Sequence, residues 1–185
     1  MTAPSDLELV KAAQTGDSSA FRMLVERYEA QIAATVISML GPGAEADDVG
    51  QETFIRFYNN LDNFRGESSP GTYITRIAIN LSFNALKRRQ RMEKHHVPLE
   101  HAQRRASHDP GYESKEKHEK IHAALKQLEP KFRAVVVLRF LQGYSTKETA
   151  KLLKIPQGSV LSRLARAQEK LKHYLKPYIG DDYES

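Results

Sequence analysis

The stretch STKETAKLLKIPQGSVLSRLARAQEKLKHYL, residues 145–175, decides the fold of the C-terminal part of this chain. Ser145 followed three residues later by Glu148 is the pattern of a capping box, which predicts the start of a helix. Proline disfavours helical geometry in the residue before it, so this helix is expected to end at Lys154-Ile155-Pro156. A second helix is predicted from about Gln157.

Each of these two helices has an apolar side, because apolar residues recur every three or four positions. The predicted packing positions are Thr149, Ala150, Leu152 and Leu153 in the first helix, and Val160, Leu164, Ala167, Leu171 and Leu175 in the second. The other side of the second helix carries hydroxyls and cations suited to phosphates and base edges, namely Ser159, Ser162, Arg163, Arg166 and Lys170. The pattern predicts a DNA-binding helix-turn-helix, and the alternative is an ordinary helical hairpin with a solvated basic face.

Composition agrees with a nucleic-acid partner. The net charge of the 185 residues is +5, but its distribution is uneven. Residues 1–62 contain ten acidic and four basic side chains, whereas residues 131–176 contain eleven basic and two acidic ones. This division predicts a basic DNA-facing C-terminal unit and an acidic N-terminal surface for another partner, unless the acidic surface is simply solvated.

Features that the sequence lacks exclude several classes of protein or argue against them. The chain has no cysteine, which excludes disulfides, thiolate zinc sites and thiol redox sensing. Residues 1–10 do not have the basic start and apolar run of a signal peptide. No apolar stretch approaches the ~20 residues of a membrane span. A soluble, cytoplasmic protein without membrane insertion is expected.

Helical periodicity dominates the rest of the chain, and no run of alternating strand residues stands out. Helix starts are expected at Ser5, at Asp17 or Ser18, near Glu45 and at Pro70. The apolar pattern fails after the basic end of the fourth helix and returns with Ile121. The prediction is an all-α protein of two small helical domains, residues 5–91 and 117–178, joined by a polar linker at 92–116.

Three segments together resemble the bacterial extracytoplasmic-function sigma factors of the sigma-70 family. The first is DDVGQETFIR at 47–56, similar to the helix by which that family binds core polymerase. The second combines FRGES at 64–68 with YITRIAIN at 73–80, and is similar to the promoter-melting and −10 segment. The third, GSVLSRLARA at 158–167, resembles the helix that recognises the −35 element. Their order and spacing match over nearly the whole chain.

The resemblance implies that the helix at about 45–59 binds the clamp helices of the largest polymerase subunit. Its residues 48, 52 and 56 are spaced at i, i+4 and i+8 and therefore share a face. A solvated helix face is the alternative. The candidate polymerase-binding residues are Asp48, Val49, Gln51, Glu52, Phe54, Ile55 and Arg56.

The second segment would melt promoter DNA and recognise the −10 element, with the loop at 64–72 forming the pocket for an extruded base. The candidate residues are Phe64, Arg65, Tyr73, Arg76, Asn80, Asn84, Lys87 and Arg88. Relatives often have Trp in place of Tyr73 and Asp in place of Asn84, so the preferred −10 sequence is left open. A partly structural role in the core is the alternative for Phe64 and Tyr73.

The third segment would recognise the −35 element through the N-terminal part of its second helix. The candidates are Lys147, Lys151, Gln157, Gly158, Ser159, Leu161, Ser162, Arg163, Ala165, Arg166 and Lys170. Ser162 and Arg166 are expected closest to base edges, and the three lysines at phosphates. Leu161 and Ala165 can touch thymine methyls, while an intramolecular contact is the alternative for Arg163.

The resemblance implies an alternative sigma factor without catalytic activity or cofactor. Its partners would be core RNA polymerase, contacted at the clamp helices and the flap, promoter DNA, and an anti-sigma factor that could hold it at the inner membrane face. The alternative is a free-standing dimeric helix-turn-helix regulator, and no motif supports an all-helical enzyme. His118 and His122 share a helix face but lack a third ligand, so no metal site is predicted.

Overall fold

The computed structural model describes residues 3–95 and 112–179, and its regular structure in those ranges is helical throughout. The helices are α1 (Asp6–Gln14), α2 (Ser18–Leu40), α3 (Ala44–Asn59), a 3₁₀ turn (Leu61–Asn63), α4 (Pro70–His95), α5 (Tyr112–Gln127), α6 (Pro130–Val136), a π-helical turn (Val137–Leu141), α7 (Thr146–Leu153) and α8 (Gln157–Ile179). The all-α prediction is confirmed.

Helix ends follow from local side chains, as the sequence predicted. Ser5 and Ser145 each form a reciprocal capping box with the glutamate three residues on, and the side chain of Asp17 accepts from two backbone amides of α2. The hydrogen bond from the Ser145 hydroxyl, followed by that from its backbone amide, lowers the pKa of Glu148. Gly41 ends α2 at a φ of 85°, which a residue with a Cβ adopts only with strain.

The N-terminal unit is built around α2, which packs against α1, α3 and α4. The side chains of Leu24, Val36, Phe57 and Ile74 have no measurable exposure. Gly71 near the start of α4 permits a close approach to α2, because a Cβ there would lie 2.5 Å from the Tyr28 ring. Burial of these side chains is the main stabilisation of the unit.

In the C-terminal unit, α8 packs against α5, α6 and α7. One cluster contains Leu125, Leu128, Phe132, Val136 and Ala167, and a second contains Val135, Ala150 and Val160. The predicted packing positions of α7 and α8 are buried or half-buried. The helix-turn-helix is therefore held by the apolar faces that its periodicity indicated.

Two local features differ from the sequence prediction. The helix break lies at Lys154, the C-cap of α7, which is in the left-handed region at φ 53° and ψ 47°. The break thus falls within the predicted 154–156, but its left-handed turn was not predicted, and Pro156 lies just before α8, which begins at Gln157. In addition, α4 extends to His95 and α5 begins at Tyr112, so both ends of the segment predicted as a polar linker are helical. The remainder, 96–111, lies outside the described residues.

The two units also pack against each other, which the sequence pattern did not indicate. Helix α2 contacts α5, α6 and the π-helical turn, while α4 contacts α6 and α7. Four C-terminal side chains belong to the main core cluster otherwise built from the N-terminal unit: Ala134, Val137, Leu138 and Leu152. Among the residues that the structure describes, no helix is long and apolar enough to span a membrane.

Candidate nucleic-acid interface

A cavity of about 450 Å³ opens where the loop after the 3₁₀ turn meets the start of α4. We call it the base cavity. Its lining comprises Asn63, Phe64, Arg65, Glu67, Ser68, Thr72, Tyr73 and Arg76 from the N-terminal unit, and Lys151 and Leu152 from α7. Four candidate −10 residues are thus brought together at one opening. Asn63, Glu67, Ser68 and Thr72 were not predicted individually, although all but Asn63 lie in the loop predicted to form the pocket.

Aromatic stacking sets the shape of this cavity. The ring of Phe64 packs edge-on against Tyr73, with 5.3 Å between centroids, and its side chain is 8% exposed. Phe64 therefore belongs to the core and forms the cavity floor. Tyr73 is half-buried, and the Arg76 guanidinium lies 5.1 Å from its ring centroid. Tyr73 and Arg76 both line the cavity, and aromatic rings and guanidinium groups are the side chains on which bases stack.

Beyond the cavity, α4 presents an exposed polar strip. Asn80, Asn84 and Lys87 are exposed and make no side-chain hydrogen bond within the described part of the chain. Arg88 differs, because its guanidinium donates to Glu45 of α3 at 2.9 Å. The strip therefore offers two amides and a free ammonium, while Arg88 also ties α4 to α3.

Helix α3 carries the candidate polymerase-binding residues. Asp48 and Gln51 are exposed, whereas the carboxylate of half-buried Glu52 accepts a 2.7 Å hydrogen bond from Nε of Arg56. The predicted common face therefore contains an internal ion pair, and Asp48 makes no ion pair with any residue that the structure describes. Surface pairs of this kind contribute little to stability.

An apolar groove lies beside that acidic face, between α2 and α3. Val49 and Phe54 are half-buried, and Ile55 is 53% exposed. The groove is lined by Val25, Glu29, Ile32, Ala33 and Ile37 of α2, and by Ala46, Asp47, Gly50, Gln51 and Phe54 of α3. The sequence did not predict that α2 residues would line a groove. The groove exists only because α3 packs beside α2, and that packing joins residues that are distant in sequence.

The α8 residues predicted to contact the −35 element are exposed or half-buried. Gln157, Gly158, Leu161, Ser162, Ala165 and Arg166 are exposed, and Ser159 and Arg163 are half-buried. The Ser162 hydroxyl donates to the Ser159 carbonyl at 3.2 Å and keeps its acceptor capacity. The buried residues Val160 and Ala167 lie on the opposite side of the helix.

The three flanking lysines are in different environments. Lys147 is exposed on α7. The ammonium of Lys170 lies 3.5 Å from a carboxylate oxygen of Glu129 and 5.5 Å from the Phe132 ring centroid. The hydrogen bond from Lys131, ahead of the charge of Lys170, lowers the pKa of Glu129. Lys151 is also exposed on α7, and it lines the base cavity.

No group of three or more His, Asp or Glu side chains capable of holding a metal occurs among the described residues. His118 has no described side chain, so the spacing of His118 and His122 is a feature of the sequence alone.

One unit is a helix-turn-helix with an exposed polar face on α8, and the other is a helical unit with an aromatic cavity and a polar strip. Together they define the class as a DNA-binding transcription protein. Family models give the class more closely. Residues 24–92 match sigma-70 region 2, and residues 118–171 match sigma-70 region 4. The chain belongs to the extracytoplasmic-function group of the sigma-70 family, and it is an alternative sigma factor that directs promoter-specific transcription initiation.

Relatives and solved structures agree with this assignment. The chain is 33% identical to the RNA polymerase sigma-H factor of Pseudomonas aeruginosa, over 98% of this chain and 99% of that one. It is 32% identical to the sigma-E factor of Escherichia coli K12, over 95% and 96%. The structure of CnrH with the cytosolic domain of CnrY has a TM-score of 0.72 at 25% identity, covering 94% of this chain and 98% of CnrH. The sigma factor RpoE of Bartonella quintana, solved with the anti-sigma factor NepR, shares the fold with a TM-score of 0.67 at 21% identity, over 84% and 96%. The free-standing dimeric regulator is not favoured.

Proposed function

We propose that the two units, residues 5–91 and 117–178, divide the work of promoter recognition, with the segment at 92–116 between them. The first unit docks on the polymerase clamp helices through α3 and captures the melted −10 strand. The second recognises the −35 element through α8 and contacts the polymerase flap. The observation that carries this proposal is the base cavity, which is continuous along α4 with the polar strip of Asn80, Asn84 and Lys87.

Strand capture follows from the chemistry of that surface. Extruding a base from a duplex costs a few kcal/mol, and stacking on an aromatic ring returns about 1–3 kcal/mol per base. Tyr73 supplies the ring, and Arg76 adds a cation beside it. The amides of Asn80 and Asn84 both donate and accept, so they suit base edges, whereas Lys87 suits a phosphate.

The chain itself would carry no catalytic group in this scheme, since RNA synthesis belongs to the polymerase. An anti-sigma partner is supported by the solved neighbours, because RpoE of Bartonella quintana was solved in complex with the anti-sigma factor NepR. Docking of such a partner would decide whether the chain is free in the cytoplasm or held at a membrane face. In vitro transcription with purified core polymerase tests the whole proposal, and promoter binding without core-dependent transcripts would contradict it.

Asn80→Ala and Asn84→Ala are expected to impair promoter opening more than closed-complex formation. Both amides are exposed on α4 and follow the cavity residue Arg76 at four-residue intervals, so they lie along the path proposed for the melted strand. Permanganate reactivity of unpaired thymines measures opening, and a gel shift on ice measures the closed complex. Gln90→Ala, also exposed on α4 but outside the predicted −10 residues, is the matched control. Normal thymine reactivity with lost closed binding would place these amides elsewhere.

Asp48→Lys is expected to weaken binding to core polymerase by about ten- to a hundredfold, because it reverses an unpaired charge on the docking face. Glu52→Lys should have a smaller effect, since that carboxylate is already paired with Arg56. Fluorescence titration of labelled protein with core polymerase measures both. Glu119→Lys, an exposed site on α5 with the same charge change, is the control. Unchanged affinity in both α3 variants would contradict docking through this face.

A further inference from the structure

Helix α1 contains none of the predicted site residues, yet its C-terminal end is hydrogen-bonded to the loop that forms the base cavity. Gln14, the last residue of α1, is half-buried. Its side-chain amide donates to the Leu61 carbonyl at 2.8 Å and to the Phe64 carbonyl at 3.4 Å. Leu61 begins the 3₁₀ turn and Phe64 follows its last residue, so one side chain spans the whole turn.

The two carbonyls suit the amide end of a glutamine. An NH₂ group carries two hydrogens, so it can donate to two carbonyl oxygens at once. The Leu61 carbonyl also accepts from the Phe64 backbone amide at 3.0 Å. The Phe64 carbonyl has no other hydrogen-bond partner among the described residues. Loss of the Gln14 amide would therefore leave the Phe64 carbonyl without a partner among them.

The segment 65–68, which follows Phe64, lines the cavity without hydrogen bonds of its own. Three of its residues belong to the cavity lining, and none of the four hydrogen-bonds to another residue that the structure describes. The next fixed point is Ser69, whose hydroxyl accepts from the Thr72 backbone amide at 3.2 Å. The segment is therefore held at its two ends, by Gln14 at Phe64 and by the first turn of α4 at Ser69.

Helix α1 is itself fixed on the N-terminal unit. Leu9 and Val10 are buried in the main core cluster. At the start of the helix, the Asp6 carboxylate accepts from the Tyr28 hydroxyl and from the Arg27 guanidinium of α2. Burial, followed by the hydrogen bond to Asp6, raises the pKa of Tyr28, so this hydroxyl remains a donor. These contacts hold α1 in one position on α2, and its end is a firm support for the loop.

The position of Phe64 sets the geometry of the proposed stacking site. Its side chain is the cavity floor and packs edge-on against Tyr73, while its carbonyl accepts from Gln14. A loop that is already ordered loses little conformational entropy when a base enters. Without the hydrogen bond from Gln14, part of the binding free energy would be used to order the segment 65–68.

We propose that Gln14 is a positioning residue for capture of the −10 strand: it holds the start of the segment 65–68, so that the base cavity is formed before a base enters. This role rests on the proposed function of the cavity. Gln14 is not part of the cavity lining, so it acts through Phe64 and the loop rather than by touching the strand.

The test uses the full chain in holoenzyme with core polymerase. Gln14→Met keeps the length of the side chain and a good helix former but removes the donor. The probe is a fluorescein-labelled oligonucleotide with the non-template −10 sequence of a promoter that the holoenzyme transcribes. Further copies each have one base replaced by an abasic site, and the loss of affinity is the abasic penalty at that position. The base that enters the cavity is identified as the position whose penalty disappears in Tyr73→Ala.

Gln14→Met should bind the intact oligonucleotide about three- to tenfold more weakly, which is the effect of a typical hydrogen bond. It should reduce the abasic penalty by a similar factor at the position identified with Tyr73→Ala, because the loop and the ring act on the same base. Gln14→Glu keeps the shape of the side chain but turns a carboxylate toward two carbonyl oxygens, so it should weaken binding further. Gln127→Met, the same exchange at the exposed last residue of α5, is the control and should bind as the unmodified chain does.

The abasic series separates positioning from a general structural role. Loss of stability would lower the urea midpoint and weaken binding of every oligonucleotide alike. An unchanged penalty at the Tyr73-dependent position in both Gln14 variants would therefore overturn the positioning role, and so would equal affinity of Gln14→Met and the unmodified chain. If no penalty depended on Tyr73, the cavity would not take a base, and the strand assignment would fail together with the positioning role. Circular dichroism at the assay temperature checks that each variant is folded.

Discussion

Phe57→Ala is expected to lower the free energy of unfolding by about 3–5 kcal/mol, as truncation of a fully buried aromatic residue does. The Phe57 side chain has no measurable exposure. Its ring centroid lies 5.9 Å from that of Phe21, 6.0 Å from Tyr73 and 6.4 Å from Phe64. Removing the ring leaves a void between α2, α3 and the floor of the base cavity. Urea denaturation followed by circular dichroism measures the loss.

Two variants bracket this result. Phe57→Leu retains much of the buried volume and should cost clearly less. Phe140→Ala removes a ring that is 55% exposed and should change stability by no more than about 0.5 kcal/mol. Because Tyr73 loses a packing neighbour, Phe57→Ala should also weaken binding of the −10 strand at temperatures where the protein remains folded. A loss below about 1 kcal/mol would contradict the packing described for this cluster.

Arg166→Ala is expected to cost about 1–3 kcal/mol on the cognate −35 element, which is about five- to 150-fold in affinity, and to flatten discrimination among −35 variants. Arg166 is exposed on α8, four residues after Ser162, and makes no ion pair within the described residues. A free guanidinium one turn from a hydroxyl is suited to a guanine edge in the major groove. Holoenzyme binding across a small −35 variant library measures the change.

Lys147→Ala is the matched comparison for this prediction. Its exposed ammonium on α7 is expected at a phosphate, so its loss should weaken all −35 variants similarly and reduce the salt slope by about one. Lys170→Ala should have a smaller effect, because that ammonium is shared with Glu129. Sequence preference that survives Arg166→Ala but changes in Lys147→Ala would mean that α8 enters the groove in another orientation.

Local side-chain chemistry made much of this fold predictable. The capping boxes at Ser5 and Ser145 and the cap at Asp17 act within a few residues, so the sequence determines them without reference to the rest of the chain. The apolar period of α8 likewise predicted burial of Val160 and Ala167. The left-handed turn at Lys154 escaped prediction, because proline at 156 provided a competing explanation for the same break.

Contacts between distant residues were decided only by tertiary structure. Sequence spacing placed residues 48, 52 and 56 on one face of α3, but packing of α2 made the apolar groove beside them. The ion pairs of Arg88 with Glu45 and of Lys170 with Glu129 join residues far apart in the chain, so no local pattern indicated them.

The sequence by itself determined the helices, their caps, the apolar faces and the three segments that resemble a sigma factor, because each depends on residues within one or two turns of one another. Only the tertiary structure decided that Phe64 is the floor of the base cavity and that Tyr73 and Arg76 form its wall. It alone also placed Lys151 over that cavity and Tyr144 between α2 and α4. Those positions depend on how the two helical units pack, and burial of apolar surface drives such packing without a fixed sequence spacing to reveal it.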